Sequence, residues 1–204
     1  MSIIEHIFRV LAPHHCVGCG DEGRVLCANC ALTLPAAPTI TTQSPLKRVQ
    51  AVTTYNGLSK ELIHRLKFER ASAAADDIAG LLMQKIEFPQ DVVISYVPTA
   101  PARVRTRGYD QAQLIAKAVA RRTGLPCVPL LARSSKERQV GKDRATRQQQ
   151  MKHAFYAPRP QRVAGRRIML IDDVFTTGST CQAAAQTLTQ AGAEHVEAAV
   201  FAVA

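Results

Sequence analysis

Arg167 to Thr180, RIMLIDDVFTTGST, constrains the fold more tightly than any other stretch of the chain. Ile168, Met169, Leu170 and Ile171 form an unbroken apolar run, which suits a strand buried on both faces of a parallel sheet. Asp172 and Asp173 fall where that strand is expected to end. Thr176, Thr177, Gly178, Ser179 and Thr180 follow, hydroxyl side chains around a glycine. Ser179 and Gln182 have capping-box spacing, so the sequence predicts a helix starting at Thr180, with its body over Cys181 to Ala191 and Gly192 as C-cap. A strand, a loop and a helix N-terminus in succession present free backbone N–H groups to an anion. The hydroxyls can donate further hydrogen bonds, and Gly178 lets the backbone approach closely. Two carboxylates would repel a bare phosphate. They suit a ligand with a phosphate at one end and hydroxyls or a bound metal at the other. A ribose 5-phosphate fits, its phosphate in the loop and its 2′ and 3′ hydroxyls on Asp172 and Asp173. Neither GxxxxGK[ST] nor a dinucleotide fingerprint is present in this stretch. The plainer alternative is a buried strand ending in an ordinary acidic turn.

The segment IDDVFTTGST resembles the phosphoribosyl pyrophosphate (PRPP) loop of type I phosphoribosyltransferases. The resemblance implies that Asp172 and Asp173 are the catalytic acids, holding the ribose hydroxyls together with Mg²⁺. It implies that Thr176, Thr177, Gly178, Ser179 and Thr180 bind the 5-phosphate. Purine-salvage members carry a third Asp at the place of Thr176, where it serves the base. Threonine there disfavours a hypoxanthine or guanine salvage role.

At 204 residues and 47% hydrophobic, the chain can hold one medium domain plus a small appendage. No apolar run reaches the length of a membrane span, and the N-terminus lacks a signal-peptide pattern. A cytoplasmic protein with reduced cysteines and no membrane insertion is expected. The formal charge of +10 is uneven. Residues 101–122 hold six Lys/Arg and one acid, residues 133–152 hold seven and two, and the remainder balances to zero. Two basic segments on an otherwise neutral chain suggest polyanion binding, to pyrophosphate or nucleic acid. The alternative for individual residues is a solvated face.

Cys16, Cys19, Cys27 and Cys30 are spaced C-x2-C-x7-C-x2-C. Two close pairs on two turns can close a tetrahedral thiolate site, and Zn²⁺ is the metal such sites usually hold. Gly18 and Gly20 suit the tight knuckle. A redox pair or disulfide would need an oxidising compartment. His14 and His15 are adjacent, but four cysteines complete the shell. Residues 1–46 carry two basic and three acidic residues, so the module suits a structural or partner-docking role better than gripping DNA alone. Cys127 and Cys181 are expected in the core.

The remaining chain alternates strand and helix, which predicts an α/β fold with a mostly parallel sheet flanked by helices. Ile3 to Leu11 has one apolar stripe of a short helix. Pro35 to Pro45 reads as a linker, dividing residues 1–46 (helix, zinc module and linker) from the domain at 47–204. Strands are expected at Val49 to Tyr55, Asp91 to Val97, Cys127 to Leu131 and His195 to Val203, with Phe155 and Tyr156 rejoining the sheet. Helices are expected from Leu58 to near Lys67, over Ala71 to Ile86, and over Tyr109 to Arg122. Past the Asp91 strand, Arg103, Arg105 and Arg107 point toward the usual ligand crevice of an open α/β sheet. In the resembled family the loop at this place binds pyrophosphate. Arg133 to Lys152 has almost no core-forming residues, and a loop that long is usually functional. A flexible basic loop closes over PRPP in that family, which makes Lys142, Arg144 and Arg147 candidates for stabilising departing pyrophosphate.

The four-cysteine module, YNGLSKELIHRLKF, VPTAPARVRTRGYDQAQLIA and the PRPP loop, in that order, resemble the ComF family over essentially the whole chain. The resemblance implies PRPP binding, structural zinc and a part in natural transformation, where single-stranded DNA is handled. Single-stranded DNA and a competence helicase or ATPase become candidate partners. Two functions of different class follow. One is a phosphoribosyltransferase with an unidentified acceptor. The other is a non-catalytic module that keeps the fold, binds nucleic acid through its basic segments and docks a partner through zinc. With ten aromatics and no Trp, base-stacking platforms would be sparse in the second, and backbone contacts would make affinity salt-dependent.

Overall fold

A computed structural model describes residues 14–38, 40–42, 44–69, 71–134 and 154–204. The expected helix at Ile3 to Leu11 lies outside them, as do Lys142, Arg144 and Arg147. The first described helix, α1 (Ala28–Leu32), belongs to the cysteine module.

The main sheet has five strands in the order β1 (Ile40–Thr41), β2 (Arg48–Thr54), β7 (His195–Val203), β6 (Arg167–Phe175) and β3 (Val92–Tyr96). All neighbours are parallel except β1, which runs antiparallel to β2. The apolar runs of β3, β6 and β7 are buried because helices cover both faces. On one face, Leu62 and Leu66 of α2 (Gly57–Phe68), Ile78 and Leu82 of α3 (Ala71–Lys85) and Ile115 and Val119 of α5 (Gln111–Thr123) pack with Met169, Ile171 and Phe201. On the other, Ala184, Ala185 and Leu188 of α6 (Ser179–Gln190) pack with Ile168, Leu170, Val196 and Val200. This is the type I phosphoribosyltransferase-like arrangement.

Several elements depart from the sequence reading. β6 continues four residues past Ile171, because Asp172, Val174 and Phe175 still pair with Val200, Ala202 and Val203 of β7. The acid pair therefore sits on the sheet, not in the turn after it. The Pro35–Pro45 segment lies against the sheet edge: Ala36 bridges Thr53, Ala37 N–H donates to Val52 O at 3.3 Å, and β1 covers β2. Only Cys127 of the expected Cys127–Leu131 strand pairs, as one parallel bridge to Ile94. Phe155–Tyr156 (β5) joins Ala132–Arg133 (β4) in a separate two-stranded ribbon. Arg103, Arg105 and Arg107 lie on a short helix, α4 (Pro101–Arg107), with Pro101 in its first turn and left-handed Gly108 (φ +82°) at its end.

The cysteine module is welded to the domain. Cys16, Val25 and Leu26 are buried in the core formed by α2, α3 and α5. Asp77 of α3, itself buried, accepts from Arg24 Nε at 3.0 Å and from the Leu26 backbone N–H at 2.9 Å. Cys181 is fully enclosed and Cys127 packs at the core margin.

Candidate functional site

The C-terminal ends of β6 and β7, the turn after β6 and the start of α6 converge at the crevice where open α/β sheets bind ligands. Successive strand residues face opposite sides, and the two acids do so. Asp172 turns toward α6, where Cys181 Sγ lies 3.8 Å from its Oδ2. Asp173 turns toward α2, where Lys67 Nζ lies 2.5 Å from its Oδ2. Asp173 N–H also donates to Asp172 Oδ1 at 2.9 Å. The Asp173–Lys67 pair is largely shielded from water, with side-chain exposures of 8% and 23%.

Burial at the strand end, followed by the charge of Asp173, pushes the Asp172 carboxyl well above the usual carboxylate range. Burial, then Asp172, likewise pushes the Cys181 thiol up. A carboxyl whose pKa is raised on folding binds more protons in the native than in the unfolded state between the two values. Its contribution to stability is then complete below the unfolded pKa and lost as pH rises through the folded one. Asp172→Asn removes that cost. The expected result is a ligand-free Tm above that of the parent at pH 8, with the gap closing toward pH 4, measured by scanning calorimetry. A lower Tm at every pH would contradict it.

The turn 175–178 brings α6 to the acids. Gly178 has φ +74° and caps the helix, so α6 starts at Ser179 rather than Thr180. The expected Ser179–Gln182 capping box does not form. Ser179 Oγ lies 3.0 Å from Thr177 Oγ1 instead, because the glycine moves the cap one residue earlier. Gln182 N–H donates to Gly178 O at 2.9 Å, and the N–H groups of Ser179, Thr180 and Cys181 precede the first intrahelical bond. The Ser179 N–H reaches Thr177 Oγ1 at 3.5 Å, and those of Thr180 and Cys181 follow it beside the Thr177 and Ser179 hydroxyls. This cluster can hydrogen-bond an anion such as a phosphate.

The candidate arginines divide. A cleft of about 560 Å³ between the end of α2 and α4 is lined by Lys67, Phe68, Arg103, Thr106, Arg107 and Tyr109. Arg105 is not among its walls. On a helix, residues four apart share a face and residues two apart do not, so the alternating arginines cannot act as one row. Arg107 reaches Gln111 Oε1 at 3.2 Å. Lys67 lines this cleft and also pairs with Asp173, which joins cleft and crevice. Sequence reasoning missed Lys67 as a site residue, because its partner is 106 positions away and no local spacing marks it. Asp110 was missed too. It caps α5 by accepting from Gln113 N–H and accepts from Thr99 N–H at 2.7 Å, fixing the segment between β3 and α4.

The cysteines form a second centre. The Sγ atoms of Cys16, Cys19, Cys27 and Cys30 lie within 4.8 Å of one another, and Cys19 and Cys27 are 3.7 Å apart. Tetrahedral zinc with bonds of about 2.3 Å requires sulfurs roughly 3.8 Å apart, so the donor set fits Zn²⁺. Backbone N–H groups of Gly18 and Cys27 point at Cys16 Sγ, at 3.4 and 3.3 Å. Burial alone would raise the Cys16 thiol, but these and other hydrogen bonds outweigh it and bring it down to about 6. A side chain at Gly18 would collide with Cys30 Sγ, its Cβ falling 2.6 Å away. The knuckle is therefore closed around the sulfurs. No helix among the described residues is long and apolar enough to cross a membrane.

Residues 109–203 match the family described as phosphoribosyl transferase domain. The DNA utilization protein YhgH of Escherichia coli O6:H1 is 31% identical, the alignment covering 89% of this chain and 86% of that protein. Competence protein ComFC of Bacillus subtilis is 29% identical, covering 89% and 74%. Competence protein ComFC of Streptococcus pneumoniae is 26% identical, covering 72% and 64%.

Proposed function

The chain belongs to the ComF family, whose named members are competence and DNA utilization proteins, and on that premise we propose that it binds PRPP and acts as a phosphoribosyltransferase in the handling of incoming single-stranded DNA. The observation that carries this reading is the joining of two carboxylates and an anion-binding helix start on one strand–turn–helix unit. Thr176 to Thr180 take the 5-phosphate through hydroxyls and N–H groups. Asp172 and Asp173 accept hydrogen bonds from the ribose 2′ and 3′ hydroxyls. Oxygen donors at a strand end also suit a hard cation, and Mg²⁺ bound with PRPP would neutralise charge on the leaving pyrophosphate. A ribose hydroxyl competes with Lys67 for Asp173. Lys67 then becomes available to the pyrophosphate, together with Arg103 on the opposite wall of the cleft. As the bond between C1 and the pyrophosphate oxygen breaks, the electron pair leaves with pyrophosphate and C1 gains oxocarbenium character. Fixed cations beside the departing group lower that barrier. Lys142, Arg144 and Arg147 remain candidates to complete the set, and Arg105 drops behind Arg103. Cys16, Cys19, Cys27 and Cys30 hold structural Zn²⁺.

The test is calorimetric titration of zinc-loaded protein with PRPP and Mg²⁺. The parent should bind saturably. Asp173→Asn should bind about 10–100-fold more weakly, since a hydrogen bond to a charged group contributes roughly 1.5–3 kcal/mol. No binding by the parent, or equal binding by the variant, would overturn the assignment and favour the non-catalytic module.

A further inference from the structure

Phe68 is the last residue of α2, and 61% of its surface is exposed. It belongs to neither core cluster. An apolar ring left in water at a helix end is not explained by packing, and its surroundings are specific. The Arg107 guanidinium lies over the ring, 5.0 Å from its centroid. The His64 ring lies 4.9 Å away at a 42° tilt. Arg107 is held in place by Gln111. The junction of α4 and α5 is tied to α2 by Tyr109, whose hydroxyl donates to Leu66 O at 2.9 Å. Phe68 therefore stands as a preformed wall between the 560 Å³ cleft and a second one of about 320 Å³, lined in part by Tyr55, Lys60 and His64.

The charges around this wall favour an anion. Lys60, Arg103 and Arg107 face the two clefts, Lys67 being paired with Asp173, against Glu61 and Glu69. Both glutamates are already engaged by Arg65, so the clefts stay net positive. An exposed aromatic with a stacked guanidinium, set among cations, is how proteins seat a base beside its phosphate. A small alkylammonium would be repelled by these cations. A bare phosphate would not need the ring.

We propose that the Phe68–Arg107 wall between the two clefts is a nucleotide-unit site, with a planar base against the exposed part of that stack and its phosphate held by Lys60, which leaves Lys67 and Arg103 to the pyrophosphate. The site adjoins the PRPP crevice through Lys67 but does not require PRPP to bind. Two sources supply the same chemistry, a free mononucleotide or one residue of a single strand.

Because the chain has no Trp, stacking can be read with 2-aminopurine, whose fluorescence is quenched when the base stacks. The probes are 2-aminopurine deoxyribonucleoside 5′-monophosphate and a short oligo-dT carrying one central 2-aminopurine, each titrated with zinc-loaded full-length protein. Saturable quenching is expected. Phe68→Leu should weaken it about 10-fold, Phe68→Trp should restore it, and Arg107→Lys should weaken quenching while retaining charge. Phe68 is exposed, so these variants should keep the parent Tm. Quenching by the monophosphate assigns a free nucleotide. Quenching by the oligonucleotide alone assigns a strand. No quenching by either probe, or quenching unchanged in Phe68→Leu, would overturn the proposal. PRPP titration of Phe68→Leu separates this outcome from failure of the PRPP reading, since its affinity should match the parent.

Discussion

Stripping zinc from protein loaded at Cys16, Cys19, Cys27 and Cys30, the set proposed to hold it, is expected to destabilise the whole domain and not only the cysteine module. Without the ion, four thiols packed within 4.8 Å have no reason to stay together, and in a module this small metal binding supplies much of the folding free energy. The damage spreads because the module is part of the core. Val25 and Leu26 are buried against the helices of one sheet face. Releasing them exposes two apolar side chains, each contributing about 1.5–3 kcal/mol. Asp77 would then lose Arg24 and the Leu26 N–H, leaving a buried carboxylate without its module partners. A loss of roughly 3–6 kcal/mol in a chain of this size lowers Tm by roughly 6–24 °C. Calorimetry before and after chelation, with metal counted by a colorimetric assay, tests this. One zinc per chain and a large fall in Tm, reversed by added zinc, is the expected result. Cys16→Ser should reproduce the fall without chelator. An unchanged Tm after complete metal removal would make the cluster incidental to stability.

What the sequence made legible and what it hid follow from the range of the signals. β3, β6 and β7 were readable because their apolar runs are local and both faces are covered. α2, α3 and α5 were readable because their buried residues recur at helical spacing. β6 was read short, because an Asp pair normally ends a strand, and only the nine-residue partner β7 carries it on to Phe175. α4 was missed despite Pro101 and Gly108 at its ends, since no residue of it is buried and it has no apolar stripe to betray it. The Pro35–Pro45 segment has linker composition, yet it shields the edge of β2, a role that composition does not encode. The acids and the hydroxyl-rich turn after them were visible as neighbours in sequence. The Lys67–Asp173 pair and the Phe68–Arg107 wall join distant segments, and no spacing rule reaches that far.

Gly178→Ala should separate the conformational demand of the turn 175–178 from ordinary glycine replacement. At φ +74° an L residue is strained by roughly 1–2 kcal/mol. The added Cβ would also lie 2.5 Å from Phe175 Cζ and 3.0 Å from its Cε2. Phe175 is buried on the α6 side of the sheet, so its ring cannot swing clear without disturbing the core. Overpacking of this kind costs about 1–3 kcal/mol, giving about 2–5 kcal/mol in total. Relief by shifting the turn would move the Ser179 and Thr180 N–H groups away from the position proposed for the 5-phosphate. A displacement near 1 Å in a positioning element can cost about 100-fold. Gly192→Ala is the control: it also has positive φ, +92°, but its added Cβ meets nothing closer than 3.4 Å. It should cost roughly 1–2 kcal/mol and leave PRPP affinity unchanged. Urea denaturation and PRPP calorimetry on both variants give the comparison. If Gly178→Ala matched Gly192→Ala in both measurements, the turn would be neither sterically determined nor the phosphate site.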